Sequence, residues 1–336
     1  MNLKPYRVSI FIIILAVLTI SLFWFMQSLA IIIFLSVLLA LLLKPLADTL
    51  AKKLPRALAT GISLVAFISF FVTLITIITQ SFLPAFTAFI ADFPNISRQF
   101  YERTNALNLT FLTTDLDNIW NELFNTGIVA LKSSLGLLLS LFNKVIDGVV
   151  ILFVAFYFIE DSAYLKSQIT NLFPKSAKER VSTLIKNILT ALHAYLSGQL
   201  IICMNTGLIV FVYYMLRDIP YAPVFAVISA VAEFIPVLGP TVASVFGILI
   251  TLTISPILSL QTALFYLILT QVNHNVVYPT IIGKKLNIHP VAIILSIVLG
   301  GELLGAMGMF LAVPVVTTCK IIIEDIYDDY VKNNEN

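Results

Sequence analysis

Residues 219–283 constrain the fold more than any other stretch, because they are almost wholly apolar and carry one formal charge at neutral pH, Glu233. A lone carboxylate in hydrocarbon costs about 3 kcal/mol on membrane-insertion scales, so such residues usually face a cavity or a partner. Pro236 then removes a backbone donor, and Gly239-Pro240 is a turn signal. Irregular backbone at membrane depth is tolerated only where it is buried in protein or lines water. The sequence therefore predicts a broken helical hairpin, with Glu233 at its tip beside a transport path.

The composition supports a membrane class for the whole chain. Hydrophobic residues make up 59% and charged residues 11%, against about 25% charged in soluble domains. We predict an all-α polytopic membrane protein with about eight hydrophobic helical segments, including broken or re-entrant hairpins, plus a small amphipathic-helical extracytoplasmic insertion. Several apolar runs are shorter than the roughly 20 residues of a full span, so eight crossings and fewer crossings with re-entrant hairpins both remain open. Cys203 and Cys319 lie in apolar runs and are expected to be small buried residues.

Changes in composition along the chain predict four segments. Within the second, apolar residues recur at roughly helical spacing among charged ones, which indicates amphipathic helices whose charges form a solvated face. The segments are an N-terminal transmembrane hairpin with a third helix (1–83), the extracytoplasmic insertion (84–146), a transmembrane helix with a cytoplasmic connection (147–190), and a C-terminal transport core with two Gly/Pro-broken hairpins and a cytoplasmic tail (191–336).

The placement of Lys and Arg predicts the orientation. Cytoplasmic loops of membrane proteins carry an excess of these residues. The short connection after the second apolar run holds Lys44, Lys52, Lys53 and Arg56, and most of the remaining basic residues fall in alternate connections. We therefore expect a multi-pass membrane protein with both termini in the cytoplasm.

Two hairpins in the C-terminal half share a pattern of one acid at a helix break. Glu233, Pro236 and Gly239 form it in the first hairpin, and Gly301, Glu302 and Gly305 form it in the second, which we expect to be split at residues 300–302. Short, Gly/Pro-interrupted segments in corresponding positions indicate a transporter site, with Gly239 and Gly301 as gating hinges. The alternative is packing, because Gly301 and Gly305 form a GxxxG motif that brings helices together without further function.

A polar cluster lies between the two hairpins. Gln271, His274 and Asn275 fall at i, i+3 and i+4 and therefore on one helix face, while Asn273 points elsewhere. These side chains are candidates to hydrogen-bond a polar substrate, to relay a proton through His274, or to tie neighbouring helices together.

The motifs around these breaks carry a family resemblance. The run EFIPVLGP, followed by VNHNVVYPTIIGKKLNIHPVAIILSIVLGGELLGAMGMFLAVPV, resembles the AI-2E family of bacterial transporters, the autoinducer-2 exporter or PerM-like permease family. The order of elements also matches, including FYFIEDS, which ends in Asp161 and Ser162, and YLSGQL. Positions matching the family pattern are Glu233, Pro236, Gly239, Asn275, Pro279, Gly283, His289, Pro290, Gly301, Gly305, Gly308 and Pro314.

The resemblance implies an inner-membrane exporter of a small polar molecule of the autoinducer-2 type, acting by a secondary or facilitated mechanism. Some members are sodium (lithium)/proton antiporters, which is the first alternative, and a non-transporting envelope scaffold is the second. The resemblance also implies a homo-oligomer, with a pentamer as one form. The expected partners are therefore a small polar solute or a monovalent cation or proton, the lipid bilayer and further copies of the chain, and no nucleic acid.

The sequence motifs argue against an enzyme. No GxxxxGK[ST], HExxH or GxSxG motif occurs, so we expect neither ATP hydrolysis nor a catalytic residue, cofactor or metal centre. Glu233 is the expected proton- or cation-sensitive group, and Gln271, His274 and Asn275 the expected hydrogen-bonding groups for substrate. A cation site would require Glu233 to lie near an Asn side chain or backbone oxygens.

Overall fold

The computed structural model describes residues 26–106, 145–236, 238–281 and 288–334, with a few positions between 10 and 21. These residues are helical wherever they are regular, and no β-strand occurs among them, which confirms the all-α prediction. The elements are α1 (Gln27–Leu50), α2 (Arg56–Ala106), α3 (Val145–Glu160), α4 (Ser162–Asn171), α5 (Lys178–Leu216), α6 (Ala222–Ala232), α7 (Leu238–Ile254), α8 (Pro256–Val272), a π-helical segment (Asn273–Val277), α9 (Tyr278–Ile281) and α10 (Pro290–Asn334).

The lengths of these helices separate membrane spans from shorter hairpin arms. In the described part of the chain, four helical stretches are long and apolar enough to cross a membrane, and the bent pair α3 and α4 would add a fifth. The 11 residues of α6 rise only about 16 Å at 1.5 Å per residue, against about 30 Å of hydrocarbon. An arm of this length cannot cross alone, so the chain combines spanning helices with broken or re-entrant ones. The structure thus confirms a polytopic membrane protein.

The chain divides into two compact units, each built from separate stretches of sequence. The first unit comprises residues 1–70, 144–197 and 285–336, and the second comprises residues 71–143 and 198–284. Helix α2 continues across the predicted boundary at residue 83 and contains Pro84 and Pro94. Most of the predicted insertion, residues 107–144, lies outside the described residues.

An aromatic core holds the second unit together. Phe89, at 0% exposure, sits within ring-contact distance of Tyr221, Phe225 and Phe246, with centroid separations of 5.4, 6.3 and 5.8 Å. Ile96 and Phe100, which follow at helical spacing on α2, are buried in the same cluster. The apolar periodicity read from this part of the sequence therefore corresponds to a packed helix face.

The helices of the first unit are held together by buried apolar side chains and by an ion-pair cluster around Arg180. Buried residues of α1, α2 and α3 pack together, among them Leu43, Leu64 and Ala155. At the start of α5, the Arg180 guanidinium contacts Asp325 at 2.6 Å and Asp329 at 2.7 Å, both near the end of α10. A planar guanidinium can engage two carboxylates at once, which fixes these two helix ends against each other.

The second predicted break lies at a different residue from the one expected. Residues 300–302 are helical, and the only non-helical backbone inside α10 is at Gly305, with φ 60° and ψ −142°. The split expected at residues 300–302 was therefore wrong, and the break lies at Gly305. Beyond Gly305 the chain turns back so closely that a Cβ on Gly300 would overlap the carbonyl of Gly308. Glycine allows both features because it has no Cβ: Gly305 can adopt a positive φ, and Gly300 can approach the Gly308 carbonyl closely.

Candidate functional site

The hairpin tip predicted from Pro236 and Gly239 is present in the second unit. Helix α6 ends at Ala232 and α7 begins at Leu238. Turn hydrogen bonds close the end of α6, from the Phe234 amide to the Val231 carbonyl (3.1 Å) and from the Ile235 amide to the Ala232 carbonyl (2.9 Å). A Cβ on Gly239 would overlap the Ala232 carbonyl, so this position needs glycine.

Glu233 lies at this tip, 3% exposed, with its side chain in a polar triangle. Its Oε1 accepts hydrogen bonds from Thr206 Oγ1 (3.0 Å) and Asn273 Nδ2 (3.1 Å), and Asn273 Nδ2 also lies 2.9 Å from Thr206 Oγ1. Each pair within the triangle is therefore at hydrogen-bond distance. Two neutral donors partly replace the water that a carboxylate loses on burial.

A second set of contacts holds the backbone of the same residue. Gln199 Nε2 donates to the Glu233 carbonyl oxygen, which lies just beyond the end of α6. The Tyr278 hydroxyl lies 3.5 Å from Gln199 Oε1 and orients that amide. Gln199 and Tyr278 therefore position the tip, while Thr206 and Asn273 contact the carboxylate.

Helix α5 brings Gln199 and Thr206 to the tip because they are seven residues apart. At about 100° per residue this spacing returns to within about 20° of the same direction. The sequence analysis missed both residues as members of the site. A signal was available, since two polar residues at i and i+7 fall on a face that also carries buried Val210 and Tyr214.

The π-helical segment explains how Asn273 and Tyr278 reach the same site. In an α-helix, residues five apart would point about 140° from each other. A π turn bonds residue i to i+5 and so stacks such residues on one face, a geometry that often occurs at functional sites. Asn273, 2% exposed, accordingly bonds to the Glu233 carboxylate, while Tyr278 reaches Gln199, which holds the Glu233 carbonyl.

The electrostatics of the site leave part of its hydrogen-bonding capacity unused. Among the described residues, no Lys, Arg or His side chain bonds to Glu233. The Oδ1 atom of Asn273 is buried and has no hydrogen-bond partner in the described part of the chain. Ser229 and Tyr266, whose oxygens lie 3.2 Å apart, border the same space. A small cavity of about 10 Å³ is lined by Thr206, Ser229, Glu233, Pro240, Ala243, Tyr266, Leu269 and Thr270.

This arrangement can hold a very small polar guest. A volume near 10 Å³ accommodates about one water-sized particle. Carboxylate, amide and hydroxyl oxygens are ligands for hard cations, and a carboxylate also takes up a proton. No cluster of three or more His, Cys, Asp or Glu residues suited to a metal ion occurs in the described ranges.

The polar cluster predicted on the following helix does not bond to Glu233. Gln271, His274 and Asn275 are exposed, whereas Asn273 points away from them, as the helical spacing predicts. Asn275 Nδ2 donates to Gln271 Oε1 at 2.9 Å, and the His274 ring packs against Tyr278 at 5.5 Å. Pro236 and Gly239 share the tip with Glu233. Gly301, Glu302 and Gly305 belong to the first unit, where Glu302 is exposed.

Comparison with known proteins agrees with these features. The family model described as AI-2E family transporter matches residues 11–328. YueF of Bacillus subtilis, named as a provisional transport protein, is 27% identical over 297 residues, covering 82% of this chain and 78% of YueF. YrrI of the same organism is 35% identical over 170 residues, which are 51% of this chain and only 48% of YrrI. This multi-pass membrane protein therefore belongs to the AI-2E family of transporters.

Proposed function

We propose that this chain is a secondary transporter in which the Glu233 site exchanges a proton for a monovalent cation, so that sodium (lithium)/proton antiport is its activity. The observation that carries the proposal is the buried Glu233 carboxylate, bonded to two neutral donors and to no basic side chain among the described residues. A buried carboxylate without a countercharge is costly. A proton or a cation compensates that charge, and exchanging one for the other is the coupling chemistry.

The chemistry around the carboxylate favours a small cation over a larger solute. The unbonded Asn273 Oδ1 and the hydroxyls of Thr206 and Ser229 supply further oxygens beside Glu233. Transporters commonly bind sodium where helices are broken and backbone groups are released. A cavity of about 10 Å³ fits a bare cation or one water, and it is too small for a polyol-like signal. The sequence requirement that an Asn side chain lie near Glu233 is met by Asn273.

The proposal is tested in proteoliposomes that contain the purified full chain and an internal pH dye. We expect addition of sodium or lithium to change the internal pH for the wild type, and we expect Glu233→Gln to abolish this change. Asp218→Asn is the matched control, because Asp218 is an exposed acid of the same unit. Cation-driven pH changes that persist in Glu233→Gln with an unaltered pH dependence would rule the proposal out.

Export of a small polar molecule of the autoinducer-2 type is the second candidate. It is supported by the exposed face of Gln271, His274 and Asn275, where two of the side chains hydrogen-bond to each other. This function predicts efflux of a labelled polyol-like solute without a cation-linked pH change. Such efflux would be reduced by replacing Gln271 and Asn275 with Ala and retained in Glu233→Gln. A protein with neither flux would instead be the envelope scaffold.

The proposal also covers the membrane location, the orientation and the self-assembly of the chain. We expect the chain to act in the bacterial inner membrane with both termini in the cytoplasm, as the distribution of basic residues indicates. We also expect it to assemble with further copies of itself. Labelling of single cysteines introduced at Lys53 and at Arg98 by a membrane-impermeant reagent in intact cells tests the orientation. We expect label at residue 98 and none at residue 53.

A further inference from the structure

A sharp corner between α3 and α4 is tied to the connection between α1 and α2. The two helices are separated by one residue and bent by 77°. Arg56 Nη2 donates to the Ile159 carbonyl at 3.0 Å and to Ser162 Oγ at 3.3 Å, and Lys44 Nζ donates to Ser162 Oγ at 2.9 Å. The basic connection, residues 51–55, is therefore held beside the start of α4.

Helix α4 is anchored at its ends and uncovered along its length. It contains no buried residue, whereas Phe173 just beyond it is buried with Ala177 and Val181. Tyr164 and Ile169 on α4, and Leu172 at its C-terminal cap, are 61%, 43% and 64% exposed. At about 100° per residue these three side chains fall within an arc of about 140°. The helix thus presents one apolar stripe that no described part of its unit covers.

The direction of α4 identifies what covers this stripe. Helix α3 is apolar and part of a candidate membrane span, and α4 leaves its end at a large angle. A short helix that carries an apolar stripe and leaves the end of a span at such an angle suits the membrane interface, where its apolar side would enter the headgroup and acyl boundary. Tyrosine is enriched at that depth.

The charges beside α4 determine which lipid fits. Lys52 and Lys53 are exposed, and neither forms an ion pair within the described ranges. Of the nearby acids, Asp48 lies 3.6 Å from Arg56, Glu160 accepts a hydrogen bond from Thr60 at 3.2 Å, and Asp161 is exposed. The four basic side chains of this surface, Lys44, Lys52, Lys53 and Arg56, outnumber these three acids by one, and the two lysines of the connection are the exposed ones without an acidic partner in the described ranges. Basic side chains next to the membrane attract anionic headgroups.

We propose that α4 and the α1–α2 connection together bind an anionic phospholipid. Tyr164, Ile169 and Leu172 contact the acyl chains close to the headgroup, while Lys52 and Lys53 bind its phosphate. This surface lies entirely in the first unit, whereas Glu233 belongs to the second. The proposal therefore does not depend on the ion that Glu233 binds.

The first test is native mass spectrometry of the purified full chain with equimolar phosphatidylglycerol and phosphatidylcholine. We expect preferential retention of phosphatidylglycerol, reduced about tenfold in the double variant Lys52→Gln, Lys53→Gln. The control is Arg98→Gln, Arg217→Gln, which removes the same charge from exposed positions of the second unit. Equal losses in both variants, or no preference in the wild type, would overturn the proposal. Melting in lipid-free detergent verifies that both variants are folded.

The second test locates the lipid. Photo-crosslinking in nanodiscs with a phosphatidylglycerol that carries a diazirine near the headgroup should label residues 164–172, and an equivalent phosphatidylcholine should label them less. Excess inorganic phosphate should leave the labelling unchanged, because the acyl chains contribute to binding. Equal labelling by both lipids would show apolar contact without headgroup recognition, and displacement by phosphate would show a free-anion site. Either result contradicts an anionic-lipid site.

Discussion

Asn273 and Tyr278 lie five residues apart and both hold Glu233 in place. Asn273 donates to the Glu233 carboxylate. Tyr278 contacts Gln199, which donates to the Glu233 carbonyl. The π turn between them makes this possible, because α-helical geometry would direct one of the two away. The side chain and the backbone of Glu233 are thus held by neighbouring parts of one helical segment. This arrangement separates groups that contact the Glu233 carboxylate from groups that only position the tip.

Gln199 and Tyr278 are predicted to affect affinity more than the maximal rate. Tyr278→Phe removes one hydroxyl, and Gln199→Ala leaves the Glu233 carbonyl without its donor. Since a hydrogen bond contributes about 0.5–1.5 kcal/mol, we expect the KM for the coupling cation to rise about two- to tenfold with little change in maximal rate. Cation-dependent pH changes in proteoliposomes measure both quantities.

Tyr213→Phe is the matched control for Tyr278→Phe. Tyr213 belongs to the same unit, and its hydroxyl bonds to Thr262 at 3.1 Å, away from Glu233. An equal rise in KM in this control would show that loss of any tyrosine hydroxyl in the unit loosens the site. The positioning role would then be rejected.

Thr206 is predicted to affect the apparent cation affinity more than any other single hydroxyl near the tip. Thr206→Val keeps the shape but removes a donor to Glu233 and an acceptor for Asn273. Because hydrogen bonds to charged groups contribute about 1.5–3 kcal/mol, apparent cation affinity should fall about ten- to hundredfold. Thr206→Ser should restore most of it. Thr253→Val is the control, since the Thr253 hydroxyl is buried but bonds only to the Ile250 carbonyl. Similar affinities in the two valine variants would contradict this role.

Gly300 is predicted to be essential for the hairpin within α10. Ala at this position would place its Cβ against the Gly308 carbonyl, and backbone atoms cannot move aside as a flexible side chain can. We expect Gly300→Ala to lower the melting temperature in detergent strongly or to prevent folding. Gly61→Ala provides the contrast, because nothing lies within 4 Å of its added Cβ and helix propensity favours Ala by about 1 kcal/mol. A melting temperature unchanged by Gly300→Ala would disprove the close packing of Gly300 and Gly308.

Arg180 is predicted to stabilise the first unit through its fork geometry. Its side chain is 22% exposed, and it binds Asp325 and Asp329 together. Arg180→Lys keeps the charge but cannot reproduce both contacts, so we expect a loss of about 1–3 kcal/mol. Arg98→Lys should change stability by less than about 0.5 kcal/mol, because Arg98 is 73% exposed. Chemical denaturation in detergent compares the two variants, and equal effects would argue against the fork.

Much of the fold could be predicted because the membrane leaves few alternatives. Lipid offers no hydrogen bonds to the backbone, so apolar runs of this length must be helical or lie in closed barrels. The break near Glu233 was also predictable, since Pro236 and Gly239 disrupt the helix through their own covalent structure. The packed face of Phe89, Ile96 and Phe100 followed from helical spacing alone.

The partners of Glu233 were not predictable in the same way. Thr206 and Gln199 are 27 and 34 residues from Glu233, and α5 reaches the tip only through packing. The π turn changes the spacing on which a periodicity argument depends, so the approach of Tyr278 to the same site as Asn273 was not apparent from α-helical geometry.

The second break shows the same division between local and long-range causes. Gly300, Gly301 and Gly305 all permit a break, and local sequence does not choose among them. The choice of Gly305 accompanies the contact between Gly300 and Gly308, which forms only once the two arms pack. Class, helices and the first break therefore follow from local chemistry in a membrane, whereas the partners of Glu233 and the second break depend on contacts that exist only in the folded chain.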